Sequence, residues 1–447
     1  MKEREIAIYA ITDILSEKGY NNIVLRKTLN RNKQLSIVER GFVTELVNGT
    51  LRNLINIDYI IGQFSKTPVN KIKPIVLNTL RLAVYQIIYL DRIPDSAACN
   101  EAVAFVKKKG LSGLSGYVNG VLRNVARNKL TIKYPDKDKN PIAYLSVKYS
   151  YPEWIIKYWL DEFDYDRVVK MCTENSKTPR VSICINSVKT NQEEVKKLLA
   201  EDNIAVSEGC ISNNSLYISK TSDVTEVKAY NEGLFHIMDE SSMLAVRILD
   251  PKAGNTVIDT CAAPGGKSFY CGYLMENKGK IISGDIHEHK IKLLKEGADR
   301  LGLSIIEPVL TDASVFNKNY EAVADCLIAD APCSGLGLVK KKPDIKYNKT
   351  YEDILSLAEL QREILKTSSA YVKIGGSLVY STCTVSYKEN LGNVRWFLDN
   401  FDYEPVDISG LLPDNIKCDT AKQGYIQILP GDFGTDGFFI AKFVRKS

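Results

Sequence analysis

The chain has 447 residues, of which 45% are hydrophobic and 25% charged, with 59 Lys+Arg against 54 Asp+Glu. That length exceeds one average domain and asks for two or three, and the ordinary composition excludes disordered, collagenous and disulfide-scaffold classes. No apolar run of about 18 or more residues occurs and the Met-Lys-Glu-Arg-Glu start is no signal peptide, so no membrane partner and a cytoplasmic location are expected. Ten cysteines are scattered without a CxxC, and only three histidines occur, at positions 236, 287 and 289, so no metal site is expected. The net charge of +5 hides an asymmetry: residues 1–140 hold 23 Lys+Arg against 12 Asp+Glu, and the remainder 36 against 42. A basic amino-terminal third is either an electrostatic footprint for nucleic acid or a set of solvated helix faces.

In chain order, Glu5 to Leu15 reads as an amphipathic helix. Ser36 with Glu39 three residues later forms a capping-box signature leading into a helix over Val38 to Leu54. Pro74 opens another, in which Leu77, Leu80, Val84 and Ile87 share one face. Ser96 to Lys109 and Leu114 to Arg127 complete an all-α bundle. The tract Tyr117-Val118-Asn119-Gly120-Val121-Leu122-Arg123-Asn124, with Arg92-Ile93-Pro94-Asp95 upstream, resembles the NusB-like RNA-binding domain, assigned here to residues 1–133.

Tyr134 to Pro141 is charged and punctuated by proline, as a linker would be. A smaller α+β region is expected over residues 142–235, with helices at Pro152 to Phe163 and Thr190 to Ala200 and strands at Arg180 to Asn186 and Ser215 to Ser219.

From residue 236 to 447 the pattern becomes strand, helix, strand. Val257 to Asp259 is a buried strand that breaks into Cys261-Ala262-Ala263-Pro264-Gly265-Gly266-Lys267, with a helix from about Ser268. Glycine removes the Cβ where a backbone must approach a ligand, so such a turn builds a nucleotide site at the carboxyl edge of an α/β sheet. The first glycine of GxxxxGK[ST] is missing, which favours a nucleoside without polyphosphate. A second strand, Lys280 to Ile286, contains Asp285, about 20 positions past the turn, where ribose hydroxyls are gripped. Ser304 to Leu310 precedes Asp312, Ala324 to Ala329 precedes Asp330-Ala331-Pro332-Cys333-Ser334, and Gly376 to Ser381 precedes Thr382-Cys383-Thr384. Helices are expected at Glu288 to Leu301 and Asp353 to Val372. Five strand ends thus deliver an Asp or a Cys to one edge of one Rossmann-like sheet.

These segments resemble the Sun/Nop2-type RNA cytosine-5 methyltransferases, and with the NusB-like start they point to the RsmB/Sun family. The resemblance includes Asp239-Glu240-Ser241-Ser242, Lys342-Pro343-Asp344-Ile345-Lys346 and Asp436-Gly437-Phe438-Phe439-Ile440-Ala441-Lys442. It departs mildly at Ser268 and Thr384, where Thr and Ser are common. The resemblance implies a class I methyltransferase domain, S-adenosylmethionine as cofactor, and RNA as partner, with small-subunit (16S) ribosomal RNA the expected substrate and a monomer the expected state. It also makes residues 142–235 an RNA-recognition-like subdomain. The same chemistry on transfer RNA, or a non-catalytic NusB-like RNA-binding module, are the other readings.

Carbon 5 of cytosine is a poor nucleophile, so a thiolate must first add to C6. Chemistry alone leaves open which cysteine attacks, because the DNA enzymes use a Pro-Cys cysteine. The resemblance assigns attack to Cys383 and product release to Cys333, with Asp330 beside the base at N3 or N4, or near the methyl donor. It places the methionine moiety along Cys261 to Lys267, the ribose at Asp285 and the adenine amino group at Asp312. Lys340, Lys341, Lys342 and Lys346 either grip RNA phosphates or form a solvated face.

Overall fold

The computed structural model describes residues 2–16, 21–219 and 224–447. The chain divides into two compact units, Met1–Lys177 with Val339–Asn348, and Thr178–Leu338 with Lys349–Ser447.

The first unit is all helical. Its helices run Glu3–Ser16, Asn21–Arg31, Ile37–Arg52, Leu54–Phe64, Pro74–Tyr89, Asp95–Lys108, Ser115–Asn128, Pro141–Tyr149, Glu153–Glu162 and Tyr165–Asn175. The Ser36/Glu39 capping box forms as expected, and each side chain satisfies the other residue's backbone N–H. The helix expected over Val38 to Leu54 runs Ile37–Arg52; Asn53, at φ −112° and ψ 20°, ends it, and a further helix, not among those expected, opens at Leu54. Pro74–Tyr89 is the central helix of the unit, with Leu77, Leu80, Val84 and Ile87 all buried. The Tyr85 ring lies where a Cβ on Gly49 would stand, so glycine lets these two helices approach.

Residues Val339–Asn348 leave the second unit's chain path and are part of this one. Lys346 is 1% exposed; its Nζ donates to Arg52 O at 2.8 Å and lies 4.4 Å from the centre of the Tyr151 ring. Asp344 accepts the Asn21 backbone N–H at 3.1 Å. The phosphate-gripping reading is therefore wrong for Lys346, which is a core residue; Lys342 is exposed.

The second unit holds two sheets. β1 (Val181–Ile185), β2 (Val206–Glu208), β3 (Ser215–Ile218) and β4 (Phe235–Ile237) form an antiparallel sheet in the order β2-β3-β1-β4. Helix Gln192–Glu201 packs its Val195 and Leu199 into the same core as Ile183, Ile185, Leu216 and Phe235. The large sheet is β5 (Thr256–Asp259), β6 (Lys280–Asp285), β7 (Ile306–Leu310), β8 (Ala324–Asp330), β9 (Val372–Thr382), β10 (Tyr403–Pro405), β11 (Tyr425–Ile428) and β12 (Phe438–Arg445). Its order is β10-β12-β9-β8-β5-β6-β7, with β11 paired to β12. β7, β6, β5, β8 and β9 are all parallel, so the chain reverses its direction of growth between β5 and β8, where such sheets bind ligands. The helix expected to reach Val372 ends at Tyr371, and β9 starts at Val372 rather than Gly376.

A carboxylate at the start of helix Glu240–Leu249 fastens that helix to the small sheet. Glu240 accepts the N–H groups of Cys210, Ile211 and Ser212 and the hydroxyls of Ser215 and Tyr217, which hold its carboxyl below the usual range against the opposing effect of burial.

Burial pushes the Lys346 ammonium well below its ordinary pKa. The unfolded chain carries that proton up to the ordinary lysine value and the folded chain does not, so folding releases a proton and the penalty shrinks as pH rises. The stability of the wild type relative to Lys346→Met is expected to improve with pH by up to about 1.4 kcal/mol per pH unit. Denaturant midpoints of the helical unit across the alkaline range check this, and a pH-independent gap would show a charged Lys346.

Candidate active site

The carboxyl ends of β9, β8, β5, β6 and β7 stand side by side, and every residue singled out for chemistry sits on a loop leaving one of them. β5 delivers Cys261 to Lys267, β6 ends in Asp285, β7 precedes Asp312, β8 ends in Asp330 and precedes Cys333, and β9 precedes Cys383. The edge runs from a sulfur pair at β9 and β8, through the glycine turn, to two carboxylates at β6 and β7.

The turn after β5 depends on Gly265, whose φ is +114°. A Cβ there would stand 2.3 Å from the Phe269 ring, so only glycine fits on both counts. The following helix, Gly266–Leu274, begins two residues earlier than Ser268 and leaves its first N–H groups outside the helical ladder. His236 supports the turn from β4: one ring nitrogen meets Tyr273 Oη at 3.0 Å and the other Gly266 O at 3.2 Å. Burial pushes His236 down to about 3, so the ring is neutral and Nε2–H donates to the Gly266 carbonyl.

Asp259, 1% exposed, accepts the Ser268 hydroxyl at 2.7 Å, and Ser283 donates to Ser268 at 2.8 Å. Its second oxygen has no partner, and burial pushes its carboxyl up to about 7. Asp285 is 7% exposed; it accepts the His287 N–H at 3.0 Å and Lys290 Nζ at 3.3 Å. Asp312 accepts the N–H and hydroxyl of Ser314, which hold its carboxyl below the usual range. Asp259, Thr260, Gly284, Thr311 and Asp312 line one narrow cleft.

Asp330 joins the two halves of the edge. Its Oδ2 accepts Lys267 Nζ at 2.6 Å and its Oδ1 accepts the Ser381 hydroxyl at 2.7 Å. Lys267 is 8% exposed and lies 5.2 Å from the centre of the Phe438 ring, so it is no solvated helix residue.

Cys333 Sγ and Cys383 Sγ are 3.1 Å apart. The hydrogen bond to Cys383, and then burial, push the Cys333 thiol well above its ordinary value. The two thiols are within hydrogen-bond reach of each other, and either sulfur can be the donor. Behind the pair is a polar cluster absent from the sequence reading. It comprises Ser334, Thr384, Gln361, Glu389 and Asn390, all fully buried. The one available signal was the acid-amide pair Glu389-Asn390, six residues past Cys383, which reads as an ordinary start to the helix Leu391–Asn400.

The family model for 16S rRNA methyltransferase RsmB/F matches residues 246–444, the NusB family model residues 1–127, and the ferredoxin-like domain of RsmF/B-like methyltransferases residues 151–225. A protein of Bacillus subtilis named probable ribosomal RNA small subunit methyltransferase B is 40% identical, over 99% of this chain and 98% of its own length. The chain belongs to the RsmB/F family of 16S rRNA methyltransferases. A Synechocystis protein of the same name is 34% identical over 99% of both chains. The solved structure of PH0851 superimposes with a TM-score of 0.82 at 27% identity, covering 100% of this chain and 99% of that one.

As an RsmB/F member the chain is an S-adenosylmethionine-dependent methyltransferase of ribosomal RNA. Its edge fits that cofactor. Two carboxylates can accept ribose and amino hydrogens, acidic groups offset a sulfonium and an ammonium, and unladdered N–H groups suit a carboxylate.

Gly265→Ala is expected to lower stability by about 1–3 kcal/mol through the left-handed backbone alone, and more if Phe269 cannot yield. It should also abolish binding of S-adenosylmethionine. Thermal melting with and without the cofactor measures both, and an unchanged cofactor-induced shift would show that the turn relaxes without consequence.

Proposed function

We propose that the chain methylates C5 of a cytosine in 16S ribosomal RNA through a covalent bond between Cys383 and C6 of the base. The observation that carries this reading is the 3.1 Å pair of sulfurs, close enough for one thiol to donate its proton to the other. A thiolate is the competent nucleophile, and a neighbouring S–H donor is one way to favour it on Cys383.

When bound, S-adenosylmethionine supplies a methyl group activated by its sulfonium. The chain's residues do the rest. Asp285 holds the ribose hydroxyls, Asp312 the adenine amino group, and Cys261 to Lys267 wrap the methionine end, with turn N–H groups toward its carboxylate. Cys383 attacks C6, and the electron pair of the C5–C6 double bond becomes available at C5, which takes the methyl. The C5 proton then leaves to a base, the C6–S bond breaks, and its electron pair returns to Cys383. Cys333 assists that return through its S–H hydrogen bond. Asp330, fixed between Lys267 and Ser381, is the group assigned to the N3 and N4 edge of the base. The base reaches this buried edge flipped from its stack. The basic helical unit supplies phosphate contacts, with Arg123, Arg127 and Lys129 exposed together near the end of one helix.

The two cysteines have opposite expected phenotypes. Cys383→Ala should give neither methylation nor adduct. Cys333→Ala should accumulate a protein–RNA adduct on natural RNA that survives denaturing electrophoresis, because release is impaired. The reverse pattern would make Cys333 the nucleophile, and full activity in both variants would exclude covalent catalysis.

Asp285→Ala is expected to weaken S-adenosylmethionine binding about 10- to 100-fold, because two ribose hydroxyls lose a charged acceptor. Calorimetry showing unchanged affinity would remove Asp285 from the site.

A further inference from the structure

Glu389 is a fully buried carboxylate that the reaction does not touch. One of its oxygens accepts the Ser334 backbone N–H at 2.7 Å and Gln361 Nε2 at 3.1 Å, and the other accepts the Ser334 hydroxyl at 2.6 Å. Ser334 Oγ in turn lies 2.7 Å from Thr384 Oγ1. Ser334 follows Cys333 in the chain and Thr384 follows Cys383, so this one carboxylate ties together the residues beside both sulfurs.

The carboxylate is itself held rigidly. Gln361 Oε1 accepts the Tyr380 hydroxyl at 3.0 Å and Asn393 Nδ2 at 2.8 Å, which fixes which end of the Gln361 amide faces Glu389. The Glu389 backbone carbonyl also accepts from the Tyr380 hydroxyl. A buried acid is costly unless its lone pairs are used, and here three donors from two separate segments use them. A residue needed only to fill the core would be cheaper as an apolar side chain.

We propose that Glu389 is a positioning residue that sets the separation and aim of the Cys333 and Cys383 sulfurs, acting through Ser334 and Thr384. Its kinetic consequence rests on the roles proposed above for the two cysteines; its geometric consequence does not. Glu389→Ala strands the Ser334 N–H and the Gln361 amide. Glu389→Gln keeps one acceptor oxygen for both, and its amide can donate to Ser334 Oγ, whose own proton then turns to Thr384. Thr384→Val cuts the link at its other end with little change of shape.

The test uses these three variants of the full chain and two readouts. One is kcat and KM for RNA and for S-adenosylmethionine. The other is the rate at which phenylarsine oxide bridges the two thiols, followed by intact mass, with Cys333→Ala as background. Glu389→Ala is expected to lower kcat about 100-fold while both KM values stay within about threefold, and to slow arsenical bridging, as a displaced reacting pair should. Thr384→Val should lower kcat and bridging about tenfold each, the order of one lost hydrogen bond. Glu389→Gln should restore most of both. If Glu389→Ala does not fold, Thr384→Val decides. Folded variants that lose thermal stability but keep kcat and bridging would overturn the proposal and leave Glu389 a core residue only. Slowed bridging in variants whose activity proves independent of the cysteines would uphold the positioning role and sink the covalent mechanism instead.

Discussion

The site depends on the parallel register of β8 and β9. Asp330 lies opposite Ser381 in that pairing, so the two strands end level and their loops leave the sheet together. A slip of one residue would send alternate side chains to the other face and separate the sulfurs. Beyond the strands the pairing continues without a ladder. The Ala331 N–H donates to Ser381 O, the Gly337 N–H to Cys383 O, and the Gly437 N–H to Gly337 O. A Cβ on Gly337 would stand 2.1 Å from Gly437 O, so glycine is what allows three backbone segments to meet beneath the cysteines. The loop before the antiparallel strand β12, which lies between β10 and β9, closes the floor of the site.

Charge along the edge follows from the same layout. Asp259, Asp285 and Asp330 end three neighbouring strands, and Lys267 reaches only the last of them. Burial, with Asp330 nearby adding to it, raises Asp259 to about 7, which leaves it partly protonated near neutrality. Asp285 takes a weaker partner in Lys290. The outcome is an acidic half suited to a cationic cofactor, next to a half where Asp330 is already neutralised and its geometry locked from both sides. That separation puts the acidic half at the β5 and β6 ends and the two sulfurs beyond the β8 and β9 ends.

Much of this was legible in the sequence because it is local. Capping residues, the glycine turn and strand-end acids act within a few positions of themselves, and the strand-helix alternation carries the rest of the Rossmann-like sheet. What escaped was long-range. Helix Leu54–Phe64 begins directly after Asn53, which makes no side-chain cap to announce it. Lys346 sits in a charged tract that reads as solvated, and only the packing of Arg52 and Tyr151 shows it as core. Glu389 and Gln361 are separated by 28 positions, and their pairing exists only because helix Tyr351–Tyr371 lies against the loop after β9. Polar residues in amphipathic positions give no sign of being buried until their partners are known.

The burial of Lys346 bears on how residues 339–348 are held within the helical unit. The chain leaves the sheet unit after Leu338, five residues past Cys333, and re-enters it at Lys349; the ten residues between belong to the helical unit. Left without fasteners, a connection of that length would fray. Instead its far end is fixed by a capping box, with Thr350 and Asp353 opening helix Tyr351–Tyr371. Its middle is fixed by Asp344 on the Asn21 N–H and by Lys346 on the Arg52 carbonyl. An ammonium forced toward neutrality is an expensive fastener compared with a leucine, but its Nζ must find an acceptor in one place only. Directional anchors of this kind hold residues 339–348 in one register within the helical unit, which apolar packing of the same area would not do.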